Sequence, residues 1–456
     1  MKRSNLWIFA AVLPGLALGS AGAAANPDPP VAASAPSAAT SAPDDSVLGT
    51  VQVTGAAGVG IVYPKLAVVP LVTKSDADTL AQLVTKRDFE LSDEYDVVDG
   101  VPDGPFLRDT ELTLGDWKKK GIEIVVRVWA DGSGPATKLY GDLRFTTDRL
   151  AKEDATWKAA FQTTVPIGAA SVRGATHVLV DRLFGALTGK PGAFASELAY
   201  STAVGTARQI RRLDADGFDL RDYGPAGQTA LLPSIGSAGD IWYALSANYS
   251  PYRLVHGPQA TPLSLAAPGS LLGYSFSPTR DRLAVAFMAG GVSTIYLGKA
   301  DGTDLVAIKT PKYADHPVLG PLGKVAYVAD YRVWVDGKAI SPAGFVASAP
   351  TFCDTDLGLL VLFTVGVGKG ADLIGTDTTG GGLFRLTMGQ GANTWAACSP
   401  DGRRVGYFST RTNGEGPGLY LANLRDPSRA HRISKEPGEG LSWARRDDLT
   451  AVAATP

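Results

Sequence analysis

The chain has 456 residues, 45% hydrophobic and 19% charged, with a formal net charge of −2. That length accommodates two domains plus tails, and the composition calls for a buried core along most of it. No long basic run is present, which argues against nucleic acid as a partner, because counterion release needs clustered Lys and Arg. The 53 Gly and 30 Pro favour short strands and tight turns over a helical bundle.

Lys2 and Arg3 precede an apolar run from Leu6 to Leu18. Ala21-Gly22-Ala23 and Ala23-Ala24-Ala25 are both acceptable small-residue cleavage sites. Residues 1–25 therefore read as a signal peptide cut near Ala23–Ala25. The run is too short to span a bilayer comfortably, and no later stretch is long and apolar enough to do so. The expectation is an exported protein with no transmembrane segment in its mature form. Residues 26–46 are mostly Ala, Pro and Ser, a composition that cannot offset its ordering entropy and reads as a tether.

From 47 to 190 the pattern mixes two periods, as expected of an N-terminal α+β domain. Val51, Val53 and the run Leu66–Val72 read as strands. Ser75, followed by Asp76, Asp78 and apolar Leu80, Leu83 and Val84, reads as a capped helix. Ile122–Trp129 is a strong strand, and alternating Leu139–Phe145 should pair with it across a turn at Asp131–Gly134. Val172, Thr176, Leu179, Val180, Leu183, Phe184 and Leu187 fall at helical spacing, and Gly189 stops that helix.

From 191 to 456 strands and turns replace helices, and a repeat emerges. Tyr274-Ser275-Phe276-Ser277-Pro278 is followed by Arg282–Phe287 and Thr294–Leu297. Ala397-Cys398-Ser399-Pro400-Asp401-Gly402 is followed by Arg404–Phe408 and Gly418–Leu421. A third copy runs from Gly320-Pro321 through Lys324–Val328 to Arg332–Val335. Weaker copies begin near Ser237, Cys353 and Ala444, the last with a strand over Leu449–Val452. The anchors Ser237, Ser277, Gly320, Cys353, Ser399 and Ala444 recur about every 40 residues, the period of a four-stranded propeller blade. Such a sheet cannot bury both faces alone, so blades stack around an axis. Six anchors predict an all-β six-bladed β-propeller of the WD40 kind. Its last blade has too few C-terminal strands. Glu197–Val204, Gln209–Leu213 and the segment after the Asp214–Gly217 turn can complete it and remove the exposed edge.

Motifs of catalysis are missing. There is no G-x-S-x-G elbow and no Walker-type loop. His177 reads as a helix-face residue. Asp214-x-Asp216-Gly217 lacks the later bidentate Glu of a calcium loop and reads as a turn. No metal site and no cofactor are expected. Cys353 and Cys398, the only cysteines, are equally compatible with a disulfide and with two buried thiols. The loops entering each innermost strand should converge on one mouth of the central channel. By blade alignment these are Ser270, Leu271, Leu272 and Gly273; Asp315 and His316; Ser348 and Ala349; Asn393, Thr394 and Trp395; and Glu439, Gly440 and Leu441.

The segment from Val180 to Tyr200, with its Leu187-Thr188-Gly189, Gly192-Ala193-Phe194 and Ala199-Tyr200, resembles the domain junction of the TolB family. Asp214-Ala215-Asp216-Gly217-Phe218 and Lys119–Val126 are similar to that family's following turn and N-domain strand. Only Ser399-Pro400-Asp401-Gly402 keeps the full blade turn, which marks a divergent member. The resemblance implies a non-catalytic periplasmic scaffold of the Tol-Pal system that supports outer-membrane integrity and cell division. It implies a mouth that receives a Pal-like lipoprotein. It also implies an N-terminal arm, here carrying Leu48, Val51 and Val53, that docks a TolA-like inner-membrane partner. The alternatives are a glycan- or peptide-binding propeller outside that system, or a propeller hydrolase or lyase using channel carboxylates.

Overall fold

The computed structural model describes residues 61–99, 102, 104–147, 157–168, 170–236, 239–446 and 448–449. The expected signal peptide, the tether and the arm residues Leu48, Val51 and Val53 lie outside the described residues. The elements that come first are β1 (Lys65–Val68), α1 (Asp76–Ser92), β2 (Asp96–Val97), α2 (Leu114–Lys119), β3 (Ile124–Asp131), β4 (Lys138–Phe145), β5 (Phe161–Pro166) and α3 (Val172–Thr188). Ser75 caps α1, its Oγ accepting the Asp78 N–H at 3.2 Å, with Asp76 and Asp78 in the first turn where the helix dipole favours them. Ser171 caps α3 the same way at Gly174, and Gly189 ends it in the left-handed conformation.

The strands order as β2-β1-β3-β4-β5, parallel across β2-β1-β3 and antiparallel from β3 to β5. The β3–β4 hairpin turns between Asp131 and Lys138, at the expected glycines. Leu179 and Leu183 lie against β4 at Gly141, where a Cβ would meet their methyl carbons at 3.2–3.3 Å, so this glycine lets α3 lie close on the sheet. Sequence periodicity did not reveal β2, α2 or β5. The first two have only two and six residues, too few to establish a period, and β5 shows no clean alternation of burial.

The chain then forms β6 (Ser196–Val204), β7 (Ala207–Asp214), β8 (Arg221–Tyr223), β9 (Thr229–Ile235), β10 (Ile241–Ser246), β11 (Arg253–His256) and β12 (Thr261–Pro262). Four antiparallel four-stranded meanders follow. The first is β13 (Ser270–Phe276), β14 (Arg282–Ala289), β15 (Val292–Lys299) and β16 (Val306–Ala307). The second is β17 (Asp315–Leu319), β18 (Val325–Ala329), β19 (Arg332–Val335) and β20 (Lys338–Ala339). The third is β21 (Ala347–Thr355), β22 (Gly358–Val367), β23 (Gly370–Asp377) and β24 (Phe384–Arg385). The fourth is β25 (Asn393–Cys398), β26 (Arg404–Ser409), β27 (Gly418–Asn423) and β28 (Ala430–Ser434). The arrangement is that of a β-propeller.

The last strand among the described residues, β29 (Glu439–Arg445), pairs with β6, placing Arg445 opposite Ser196. Strands from both ends of the repeat region therefore share one sheet, as the strand shortage predicts. That sheet runs β12-β11-β10-β9-β7-β6-β29 with β8 on β7, and β7 meets β9 at a single parallel pair, Arg208–Thr229. The expected strand at Leu449–Val452 is corrected for its described part: residues 448–449 are helical. Leu449 is 1% exposed and packs on Gly174 of α3, because β6 already occupies the place beside β29.

One hydrophobic core joins the two parts. It holds Phe89 of α1, Leu179 and Phe184 of α3, and Phe194, Leu198, Tyr200, Leu213, Phe408 and Trp443 from the strand region. Polar contacts reinforce it. Arg403 donates to both carboxylate oxygens of Glu94 at 3.0 Å, Asn423 donates to the Ser92 carbonyl, and His431 lies 2.8 Å from Asp93. These contacts gather at the end of the sheets that holds Ser196 and Asp214.

Candidate binding site in the propeller channel

The first strands of the four meanders, with β9 and β29, surround one cavity of about 280 Å³. Each of these six strands slips register at the same point, a β-bulge. In five of them a channel-lining residue takes a positive φ there: Leu232 (53°), His316 (45°), Ala349 (49°), Trp395 (56°) and Gly440 (65°). For the four that are not glycine this conformation costs about 1–2 kcal/mol each, and such strain concentrates where a protein works. The bulge turns backbone that would otherwise stay in the ladder toward the channel.

Gly273 and Gly440 allow the axial strands to close in. A Cβ at Gly273 would meet the His316 backbone at 3.1 Å, and one at Gly440 would meet Leu232 Cα at 3.0 Å. Side chains then tie neighbouring axial strands. Ser442 Oγ accepts the Ile235 N–H at 3.2 Å, Tyr274 Oη donates to the Leu232 carbonyl at 2.7 Å, and Ser275 Oγ accepts the Leu319 N–H at 3.0 Å. Burial pushes the Tyr274 hydroxyl well above its usual range, keeping it a donor. Cys353 and Cys398 form a disulfide across β21 and β25, with Cα atoms 5.6 Å apart, which resolves the two sequence alternatives. The channel is therefore a preset wall.

Of the residues proposed from sequence, Gly273, His316, Ala349, Trp395, Gly440 and Leu441 line this cavity together. The His316 and Trp395 rings face each other across it at 5.6 Å. The expected mouth loops are in fact the opening residues of the strands, ahead of each bulge. There, Ser270 Oγ accepts the Tyr252 N–H, Leu271 is buried in one inter-sheet core, and half-buried Leu272 packs against another. Asp315 lies 3.1 Å from His316 Nδ1, Ser348 is exposed, Thr394 half-buried, and Asn393 is fully buried, bonding Ala371 and Asp372. Glu439 pairs with Arg208 at 2.9 Å; burial pushes its carboxyl up, against Arg208 and His316. Leu232, Pro233 and Ser234 line the cavity but escaped the sequence reading. Their signal was the Pro after the bulge, shared by Leu232-Pro233, His316-Pro317 and Ala349-Pro350.

The channel entrance and the junction lie at opposite ends of the sheets. Glu439 starts β29 opposite Ser201 at the entrance, whereas Arg445 ends it opposite Ser196. At the junction end the Asp214–Gly217 segment is the expected turn, with Gly217 N–H donating to Asp214 O at 2.9 Å. His177 is not a simple helix-face residue: it is 1% exposed, and its Nδ1 lies 2.7 Å from Asp88 Oδ2. Donor atoms of Asp88, His177 and Asp216 lie within 4.8 Å of one another. Arg173 already pairs with Asp216, so the chain supplies its own cation there.

No family model matches the chain. It is 29% identical over 160 residues to the Tol-Pal system protein TolB of Thiobacillus denitrificans, covering 34% of this chain and 35% of that protein. It is 27% identical over 177 residues to the Tol-Pal system protein TolB of Mannheimia succiniciproducens, covering 37% and 39%. The matched stretch thus spans under two fifths of these relatives. The structure of TolB from Acinetobacter baumannii superposes with a TM-score of 0.70 over 84% of this chain and 97% of that one, at 17% identity, a likeness of fold.

Proposed function

We propose that this chain is a divergent member of the TolB family and, on that premise, a periplasmic component of a Tol-Pal system. In this reading it uses the channel entrance to capture a Pal-like peptidoglycan-associated lipoprotein. The eight-stranded sheet is read as two blades, β9 to β12 and β29 with β6 to β8, so six blades surround the axis. The N-terminal arm carrying Leu48, Val51 and Val53 serves a TolA-like partner. We assign the chain no chemical step.

The observation that carries the reading is the bulge repeated at one level in all six axial strands. It presents preset backbone and the His316–Trp395 pair at the end of the sheets away from the junction. A rigid surface of this kind suits recognition, because little ordering entropy is lost on binding. The test is capture of purified lipoprotein by the mature chain. Replacing His316 by Glu and Trp395 by Ala together should weaken capture by more than about tenfold, as loss of central contacts does. Leu322→Asn, at an exposed loop between β17 and β18 on the junction end, should leave it unchanged. Unaltered capture by the double variant would sink the assignment of the mouth.

A further inference from the structure

One imidazole is held between two buried carboxylates from different parts of the chain. Asp88 on α1 meets His177 Nδ1 at 2.7 Å, and Asp216 in the turn after β7 lies 3.9 Å from His177 Nε2. Exposure is 0% for Asp88, 1% for His177 and 0% for Asp216. Nε2 has no hydrogen-bond partner, Asp216 standing at ion-pair distance. A neutral ring can donate from only one nitrogen. With its proton on Nδ1 for Asp88, it would turn a bare, buried lone pair toward the Asp216 carboxylate. A ring protonated on both nitrogens donates to Asp88 and sets its positive charge beside the Asp216 carboxylate.

The surrounding charges point the same way. From the turn come Asp214 and Asp216; from α3, Arg173 and Asp181; from the segment after β29, Arg446 and Asp448. Arg173 pairs with Asp216, and Arg446 pairs with Asp214 at 2.9 Å and Asp448 at 2.7 Å. Asp181 accepts the amides of Phe194 and Ala195. The charge facing Asp88 at hydrogen-bond distance is His177.

We propose that His177 is an imidazolium latch that closes α1 and α3 onto the propeller turn at Asp214–Gly217, and that loss of its proton loosens the junction. Burial disfavours the ring's charge, but Asp88, then Asp216 and Asp214, outweigh it and raise the pKa to about 9. A raised histidine stabilises the closed form fully below its free pKa, near 6.5, and the contribution disappears as pH rises through about 9. Deprotonation leaves Asp88 as a buried charge without a counterion, the costly half of a broken pair. Two contacts tie the turn down and report on its release: Arg173 lies over the Phe218 ring at 4.4 Å, and the Ala215 N–H donates to Ser196 O at 3.1 Å.

The experiment follows hydrogen exchange at the Ala215 amide in the mature chain from pH 6 to 10, corrected for base catalysis. The opening constant should rise by up to tenfold per pH unit between about 6.5 and 9, about two orders of magnitude in total. His177→Gln should abolish that pH dependence, and Asp216→Asn should move its midpoint to lower pH. Ring nitrogen shifts of His177 in the unmodified protein provide a readout that needs no variant; at pH 7.5 they should be those of an imidazolium. A neutral ring at that pH, the same pH slope in His177→Gln as in the wild type, or one tightly held divalent metal per purified chain would each overturn the latch.

Discussion

Asp181 holds the crossing from α3 into the propeller. Its carboxylate accepts the Phe194 N–H at 2.7 Å and the Ala195 N–H at 3.1 Å, and the residue is 6% exposed. Gly192 sits so close that a Cβ there would meet Asp181 Oδ1 at 2.6 Å, which explains the glycine. Asp181→Ala would leave two buried amides without acceptors. Each such orphan costs about 1–3 kcal/mol, so the variant should lose about 2–6 kcal/mol at pH 7. Urea unfolding followed by tryptophan fluorescence measures this. A pH series adds a second constraint. Burial pushes the Asp181 carboxyl up to about 6, against the two amides and the charges of Arg445 and Arg404. A raised carboxyl stabilises the fold below its free pKa, and that contribution is lost as pH rises through about 6. Asp181→Asn does not titrate, so its deficit relative to wild type should shrink by about 3 kcal/mol from pH 4 to 7. An Asp181→Ala variant within about 0.5 kcal/mol of wild type, the range of an ordinary surface change, would refute the argument. So would an Asn deficit that grows with pH.

Gly217→Ala should be costly for two separate reasons. The residue sits at φ 90°, and a Cβ would lie 2.5 Å from the Ile433 carbonyl oxygen, so strain and overpacking together predict a loss of about 2–4 kcal/mol, read from the urea midpoint. Cys353→Ser with Cys398→Ser removes a cross-link between residues 45 apart, for which chain entropy predicts a loss of about 4 kcal/mol. The reductant-treated wild type should show the same shift, and a midpoint insensitive to reductant would contradict the disulfide.

Some of the site could be read in the sequence because it repeats. The anchors marked the axial strands, and alignment of the copies then singled out His316, Ala349, Trp395 and Gly440, which meet in the channel. Leu232 and Pro233 were missed because the copy at Ser237 is weak: the anchor follows β9, but no recognisable innermost-strand pattern precedes it. Of the bulge the sequence held only the recurring Pro at Pro233, Pro317 and Pro350, not the register slip itself. A one-residue register slip depends on what the next strand permits, and here that permission comes from Gly273 and Gly440 approaching neighbouring backbone. His177 illustrates the same limit. Its place in α3 follows from spacing, but its partners are 89 and 39 positions away in the chain, and only packing brings them to it.

The repeated blade strands, the helices α1 and α3 and the need for strands from both ends were determined by the sequence alone. These depend on local propensity and on counting strands, which every blade must satisfy independently. Tertiary structure decided three further features: the channel wall, the disulfide between two cysteines that sequence left equally able to stay apart, and the charged junction around His177. Each arises where backbones distant in sequence approach within a few ångströms, and there the spacing of residues along the chain no longer indicates which groups will meet.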